Sequence, residues 1–154
     1  MICFKFVNRE RNEQLLSTVL CIEFNDLAVV FFIVLSSDST GNATVTIKND
    51  MLNIWGITDT KEVFDIAKGN TQRMFHGCVH SMFDVLMDIV ESNPDRADSD
   101  IFDMNVFENS VAPMFVATNT QKLQGSAVML YDNLLETFAE KIGGEFCRLT
   151  IKDT

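Results

Sequence analysis

The residues best suited to chemistry form one short motif. The only two histidines, His76 and His80, flank Cys78 in the sequence His-Gly-Cys-Val-His. Imidazole and thiolate are preferred zinc ligands, and on an uninterrupted helix the i, i+4 spacing would place both imidazoles on one face. However, the glutamate of a His-Glu-x-x-His motif is missing, and Gly77 interrupts the pattern at a predicted junction between two helices. The sequence therefore favours a polar interhelical loop and predicts no metal ion and no cofactor, with His76, Cys78 and His80 as weak candidates.

The same three side chains are the only candidates for nucleophilic catalysis. A cysteine nucleophile needs a neighbouring imidazole to activate it, but residues two apart on a helix do not face each other. The chain contains no Gly-x-Ser-x-Gly motif, and Gly143-Gly144 follows a predicted helix rather than a strand, so it is not a phosphate loop. The sequence predicts no catalytic residue. A metal-dependent or cysteine hydrolase centred on His76, Cys78 and His80 remains the alternative.

An acidic run at residues 95–103 supplies oxygen ligands of the kind that calcium prefers. The carboxylates lack the alternating spacing, the central glycine and the closing glutamate of an EF-hand loop. We interpret residues 94–112 as an irregular, solvated acidic segment that wraps the domain.

The charge balance limits the class of partner. Twenty-two acidic residues against twelve Lys and Arg give a net charge of -10. Proteins that bind phosphate backbones or anionic lipid surfaces gain affinity from clustered cations, so the sequence predicts neither a nucleic-acid nor a membrane partner. The partner is expected to be an unidentified protein or small molecule. Trp55, the only tryptophan, is a candidate interaction anchor, and a position in or at the edge of the core is the alternative.

Cysteine usage points to a compartment. The four cysteines, at positions 3, 21, 78 and 147, show no close pairing, and no signal peptide is evident. The longest apolar run, residues 27–35, is too short to span a bilayer. Free thiols and a reducing cytoplasm are therefore expected.

Hydrophobic periodicity predicts the elements. Strands are expected at residues 2–7, 27–35, 43–48, 114–118, 127–131 and 145–151, and helices at 8–20, 51–55, 59–75, 81–93 and 132–143. The run at 27–35 should be a central strand buried on both faces, with Val29, Phe31, Ile33 and Leu35 almost fully buried. Because hairpins dominate, residues 1–154 are predicted to form a single α+β domain, with a largely antiparallel sheet and helices mainly on one face.

Several stretches resemble a family of uncharacterised bacterial proteins, a domain of unknown function common in anaerobic gut Firmicutes. The similarity rests on FKFVN (4–8), NEQLL (12–16), DLAVVF (26–31), NATVTI (42–47), LNIWG (52–56), AKGNT (67–71), AVMLY (127–131) and FAEKIG (138–143). It implies that this chain corresponds to the middle and C-terminal part of longer family members. The resemblance supplies no activity and no catalytic residue. We therefore interpret the chain as a non-enzymatic binding or protein-interaction domain of a cytoplasmic bacterial protein.

Overall fold

The main sheet is built around one long strand. The computed structural model describes residues 1–38, 41–57, 59–92, 113–121 and 123–144. Strand β3 (Leu27–Asp38) pairs antiparallel with β1 (Ile2–Asn8), β2 (Cys21–Phe24) and β4 (Gly41–Thr46). Ile33 has both Ile2 and Val45 as partners, and Val29 has both Phe6 and Ile22. Thus β1 lies along one edge of β3, whereas β2 and β4 follow one another along the other edge.

Side-chain alternation gives the sheet two apolar faces. Phe4 and Phe6 of β1 and Val29 and Phe31 of β3 belong to the larger core. On the other face, Cys3 packs with Phe32 in a smaller cluster. Both faces are covered because consecutive residues of β3, from Leu27 to Phe32, are all apolar and almost fully buried.

Five α-helices occur in the described residues. They are α1 (Glu13–Leu16), α2 (Asn49–Trp55), α3 (Thr60–Met74), α4 (Met82–Ser92) and α5 (Leu134–Ile142), with 3₁₀ turns at Glu10–Asn12 and Gly125–Leu130. Side chains cap the N-termini of α3 and α4: the Asp59 carboxylate accepts from the Lys61 N–H (2.8 Å), and the Ser81 hydroxyl accepts from the Asp84 N–H (3.0 Å). None of these helices is long and apolar enough to cross a membrane.

Helix α3 covers the free edge of β1. The buried Thr71 hydroxyl accepts a hydrogen bond from the Phe4 N–H (3.0 Å) and donates one to the Ala67 carbonyl (2.7 Å). The Asn70 amide donates to the Ile2 carbonyl (2.9 Å). These bonds satisfy backbone groups that an edge strand would otherwise leave unpaired, and they fix the C-terminal end of α3 relative to the sheet.

A second, two-stranded sheet follows α3. Strand β5 (Gly77–Ser81) pairs antiparallel with β6 (Phe115–Asn119), with Gly77 opposite Asn119 and Ser81 opposite Phe115. Helix α4 follows β5 directly, and α5 packs against the same strand. The α+β class and the antiparallel pairing predicted from the sequence are confirmed.

Three predictions about local structure are wrong. The polar interhelical loop around Cys78 is strand β5, because its backbone is paired along β6. The stretch 127–131 is mostly a 3₁₀ turn, not the second strand of a hairpin with 114–118, since β6 uses β5 as its partner. Leu35 is 66% exposed, because the register shifts between Val34 and Ser36 and leaves it unpaired.

Other predictions about the core and elements have mixed outcomes. Val29 and Phe31 are fully buried as predicted, whereas Ile33 is half-buried. The predicted helix at residues 8–20 is reduced to a 3₁₀ turn and α1, and β2 was not predicted. The acidic segment predicted at 94–112 and the last strand predicted at 145–151 lie outside the described residues.

Candidate functional site

A groove lies between β5 and α5. It has a volume of about 520 Å³ and is shallow and widely open to solvent. The groove is bordered by residues of α3, β5 and α5 and of the segments that precede β5 and α5. They are Gln72, His76, Gly77, Cys78, Val79, Tyr131, Asp132, Asn133, Leu134, Thr137, Phe138 and Lys141. Its volume lies in the range of ligand-binding clefts, and we take it as a candidate functional site in the described part of the chain.

Two walls define the groove. One wall consists of four consecutive residues, from His76 to Val79. Because neighbouring side chains of a strand point to opposite faces, this wall is formed by the length of the strand and not by one of its faces. The other consists of Leu134, Thr137, Phe138 and Lys141, which share one side of α5 because they are spaced three and four residues apart.

Gly77 allows the two walls to approach each other. A Cβ atom at this position would lie 2.6 Å from Leu134 Cδ2 and 3.0 Å from Tyr131 Cδ2. Further along the same face of the sheet, the Phe115 and Phe138 rings meet edge to face with centroids 4.7 Å apart. Close packing at these two points holds α5 against the small sheet.

Tyr131 anchors the inner end of the groove. Its hydroxyl donates to the Phe75 carbonyl (2.7 Å) and also lies 3.4 Å from the Thr71 carbonyl. Burial, with a smaller contribution from the nearby Cys3 thiol group, raises the pKa of Tyr131 to about 12. The phenol therefore stays protonated at neutral pH and acts as a structural hydrogen-bond donor.

Helix α3 holds the segment that leads into α5. The Asp132 N–H donates to the Gln72 side-chain oxygen (3.1 Å), and the Gln72 amide donates back to the Asp132 carbonyl (3.3 Å). The Asp132 carboxylate also forms an ion pair with Lys68. Asn133 occupies the N-cap position of α5, in a left-handed conformation with φ of 62° and no side-chain cap.

The two charged side chains that border the groove, Asp132 and Lys141, differ in whether they form an ion pair. Asp132 is neutralised by Lys68, whereas Lys141 makes no ion pair with the described residues. Lys141 and the exposed His76 are thus the groups through which the groove can attract a negatively charged or hydrogen-bond-accepting ligand.

The structure brings together two of the three residues predicted as weak candidates. His76 and Cys78 both border the groove, and His80 does not. Because side chains alternate along a strand, Cys78 and His80 project from the face of β5 opposite to the one on which Gly77 meets Leu134. Among the described residues, no three His, Cys, Asp or Glu side chains are close enough together to hold a metal ion.

Trp55 lies near the C-terminal end of α2, which Gly56 terminates with a φ of 68°. The indole is 39% exposed, and the neighbouring Ile54 is 79% exposed. Met51 and Leu52, on the same helix, pack against the larger core. The side chain is thus neither fully buried nor free, and its role as an interaction anchor stays a prediction.

Sequence reasoning did not identify Gln72, Thr137 or Lys141 as site residues. Their types are common on exposed helix faces, and only the pairing of β5 with β6 places the strand beside α5. One sequence feature could have indicated the groove. Gly77 lies between His76 and Cys78, and a glycine within a strand often marks a position where another element approaches the backbone closely.

The chain belongs to a family of unknown function, DUF5688, which matches residues 1–149. This confirms the resemblance to an uncharacterised domain family over nearly the whole chain. No curated protein and no solved structure gives a significant match.

Proposed function

We propose that the chain is a non-enzymatic binding domain of a cytoplasmic bacterial protein, and that the groove between β5 and α5 is its ligand site. The observation that carries the proposal is the construction of the groove: closely packed walls, an apolar surface from Leu134 and Phe138, and a few polar groups. Such a combination is typical of ligand sites.

The free thiols support the proposed cytoplasmic location, and the net charge of the protein bears on the class of ligand. Cys3, Cys21 and Cys78 are free thiols, in keeping with a reducing compartment. The net charge of -10 disfavours nucleic acid as the ligand. The bacterial assignment rests on the sequence resemblance alone.

A hydrolase is the second candidate, because His76 and Cys78 border the same groove. It requires the Cys78 thiol to act together with an imidazole and an acid. Strand alternation instead directs Cys78 and His80 away from the contact between Gly77 and α5. The variant Cys78→Ser separates the two candidates, because a hydrolase would lose its activity, whereas a domain that only binds would keep its affinity for the ligand.

The proposal can be tested with a matched pair of variants on α5. Thr137→Trp places a large ring in the groove, whereas Glu136→Trp places the same ring on an exposed position that does not border it. A fragment library is screened by ligand-observed NMR against the parent protein and both variants. We expect fragments that bind the parent and Glu136→Trp but not Thr137→Trp. Equal binding to both variants, or no binding to the parent, would contradict the proposal.

A further inference from the structure

The pairing of β5 with β6 determines which side chains of β5 share a face. Successive side chains of a strand point to opposite faces, so residues two apart lie on the same face. Cys78 is paired with Thr118 and His80 with Val116, within one regular antiparallel ladder. The Cys78 thiol and the His80 imidazole therefore project from one face of β5, at neighbouring positions whose Cα atoms are about 6.5–7 Å apart.

The strand conformation changes what the spacing of these two residues means. On a helix, side chains two residues apart do not face each other, and that geometry counts against a joint role for the thiol and an imidazole. On a strand the same spacing makes them neighbours on one surface. The replacement of the predicted interhelical loop by β5 thus places a thiol beside an imidazole.

Both side chains are available as ligands. His80 is exposed, and Cys78 is half-buried with a free thiol. Neither side chain forms a hydrogen bond or an ion pair with another residue in the described part of the chain. Their cross-strand neighbours on the same face, Val116 and Thr118, carry no charge, so neither of them repels a cation.

We propose that Cys78 and His80 together bind a zinc ion, or another transition-metal ion that favours sulfur and nitrogen ligands. Zinc binds thiolate sulfur at about 2.3 Å and imidazole nitrogen at about 2.0–2.1 Å, whereas calcium and magnesium prefer oxygen ligands. The thiol loses its proton to water as the sulfur–metal bond forms, and the imidazole binds in its neutral state. This site is separate from the contact between Gly77 and α5 and does not depend on the proposed function.

The number of ligands sets the character of the site. Among the described residues, no third His, Cys, Asp or Glu side chain is close enough to complete a three-ligand set. Water therefore fills the remaining positions of a four-coordinate zinc ion, and the ion stays exchangeable. The net charge of -10 favours the site, because it raises the concentration of cations near the protein surface.

The experiment is a titration with Co²⁺, which takes the place of zinc and gives a charge-transfer absorption band in the near ultraviolet when a thiolate binds it. We expect the band to saturate at one ion per chain and to disappear when excess zinc is added. Cys78→Ser should abolish the band. His80→Gln should weaken binding by about tenfold or more, since even the loss of a group that supports a metal ligand typically costs about 10–100-fold.

Two matched variants are the controls. Cys21→Ser removes another half-buried free thiol, which has no histidine two residues away. His76→Gln removes the other histidine, which precedes the first residue of β5. Both variants should bind Co²⁺ as the parent does. A band that survives in Cys78→Ser, or that depends on His76 and not on His80, would overturn the proposal.

A second measurement uses the unmodified protein and so does not depend on the folding of a variant. Alkylation of each cysteine by iodoacetamide is followed by mass spectrometry, with and without zinc. Because a metal-bound thiolate is less available to the reagent, zinc should slow the alkylation of Cys78 and leave that of Cys21 unchanged. Equal rates at Cys78 with and without saturating zinc would show that the thiol binds no metal.

Discussion

Gly77 lies directly against Leu134, with room for no side chain between them: a Cβ at Gly77 would stand 2.6 Å from Leu134 Cδ2. This contact joins the two walls of the groove. The close approach of the two walls therefore requires glycine at position 77, between His76 and Cys78, because even the methyl group of alanine would collide with Leu134.

Gly77→Ala should therefore destabilise the protein by about 1–3 kcal/mol, because Leu134 and Tyr131 must shift to admit the methyl group. Urea titration gives the free energy of unfolding. Gly69→Ala is the matched control: Gly69 lies inside α3 with nothing within 4 Å of the added atom. There the same change should raise stability by about 0.5–1 kcal/mol. A neutral or stabilising Gly77→Ala would mean that α5 does not pack on β5 as described.

Tyr131 should make stability depend on pH in the alkaline range. Its pKa is raised to about 12 in the folded protein, from an ordinary value of 10.0. The folded state thus holds the phenolic proton more tightly than the unfolded state. The resulting stabilisation is fully present below pH 10 and is lost as the pH rises toward 12.

The measurement compares the parent with Tyr131→Phe in urea titrations across this range. Below pH 10 the variant should be less stable by about 1–2 kcal/mol, because the Phe75 carbonyl loses its donor. The difference should shrink as the pH approaches 12. A difference that stays constant with pH would show that the Tyr131 hydroxyl is not buried in the folded state.

The cysteines should differ in reactivity when the protein is folded. Burial raises the pKa of Cys3, an effect only partly offset by its hydrogen bond with Thr71. Cys3 should therefore react most slowly with a thiol reagent in the folded protein. After unfolding without reduction, all four cysteines of the chain should react. Fewer than four reactive thiols in freshly isolated protein would contradict the proposal that the protein occupies a reducing compartment.

Strand β3 illustrates which parts of the fold could be predicted from the sequence. Phe31→Ala should cost about 3–5 kcal/mol through lost burial and the cavity left behind, since Phe31 is fully buried. Leu35→Ala, in the same apolar run, should cost less than about 0.5 kcal/mol because Leu35 is 66% exposed. Both values follow from denaturant titration. A large loss for Leu35→Ala would mean that this residue is covered in solution.

The difference between those two residues has a physical cause. A run of β-branched and aromatic residues predicts a strand, and β3 was found for that reason. The register shift between Val34 and Ser36 depends on pairing with β4, which no local pattern encodes. In the same way, the apolar stretch from Ala127 to Tyr131 is compatible with a strand or a buried 3₁₀ turn, and long-range packing decides between them.

The candidate site was less predictable than the core. The motif with His76 and Cys78 lies at the groove, but the sequence singled it out for a different reason, namely that its residues could bind a metal or act as a nucleophile. Strand β5 has only five residues between two capped helices, too short for alternation to be recognised. The proximity of Lys141 and Thr137 to this strand arises from tertiary packing alone.

Chemical-shift mapping by NMR tests the central claim most directly, namely that the groove between β5 and α5 is the binding site. A peptide or fragment selected against the parent protein is added stepwise to ¹⁵N-labelled protein. We predict that the largest shifts occur at the amides of Gly77, Val79, Thr137 and Lys141, with the Trp55 indole N–H unchanged. Shifts centred on Trp55 and Ile54, with Val79 and Lys141 unmoved, would contradict the account and place binding at the C-terminal end of α2.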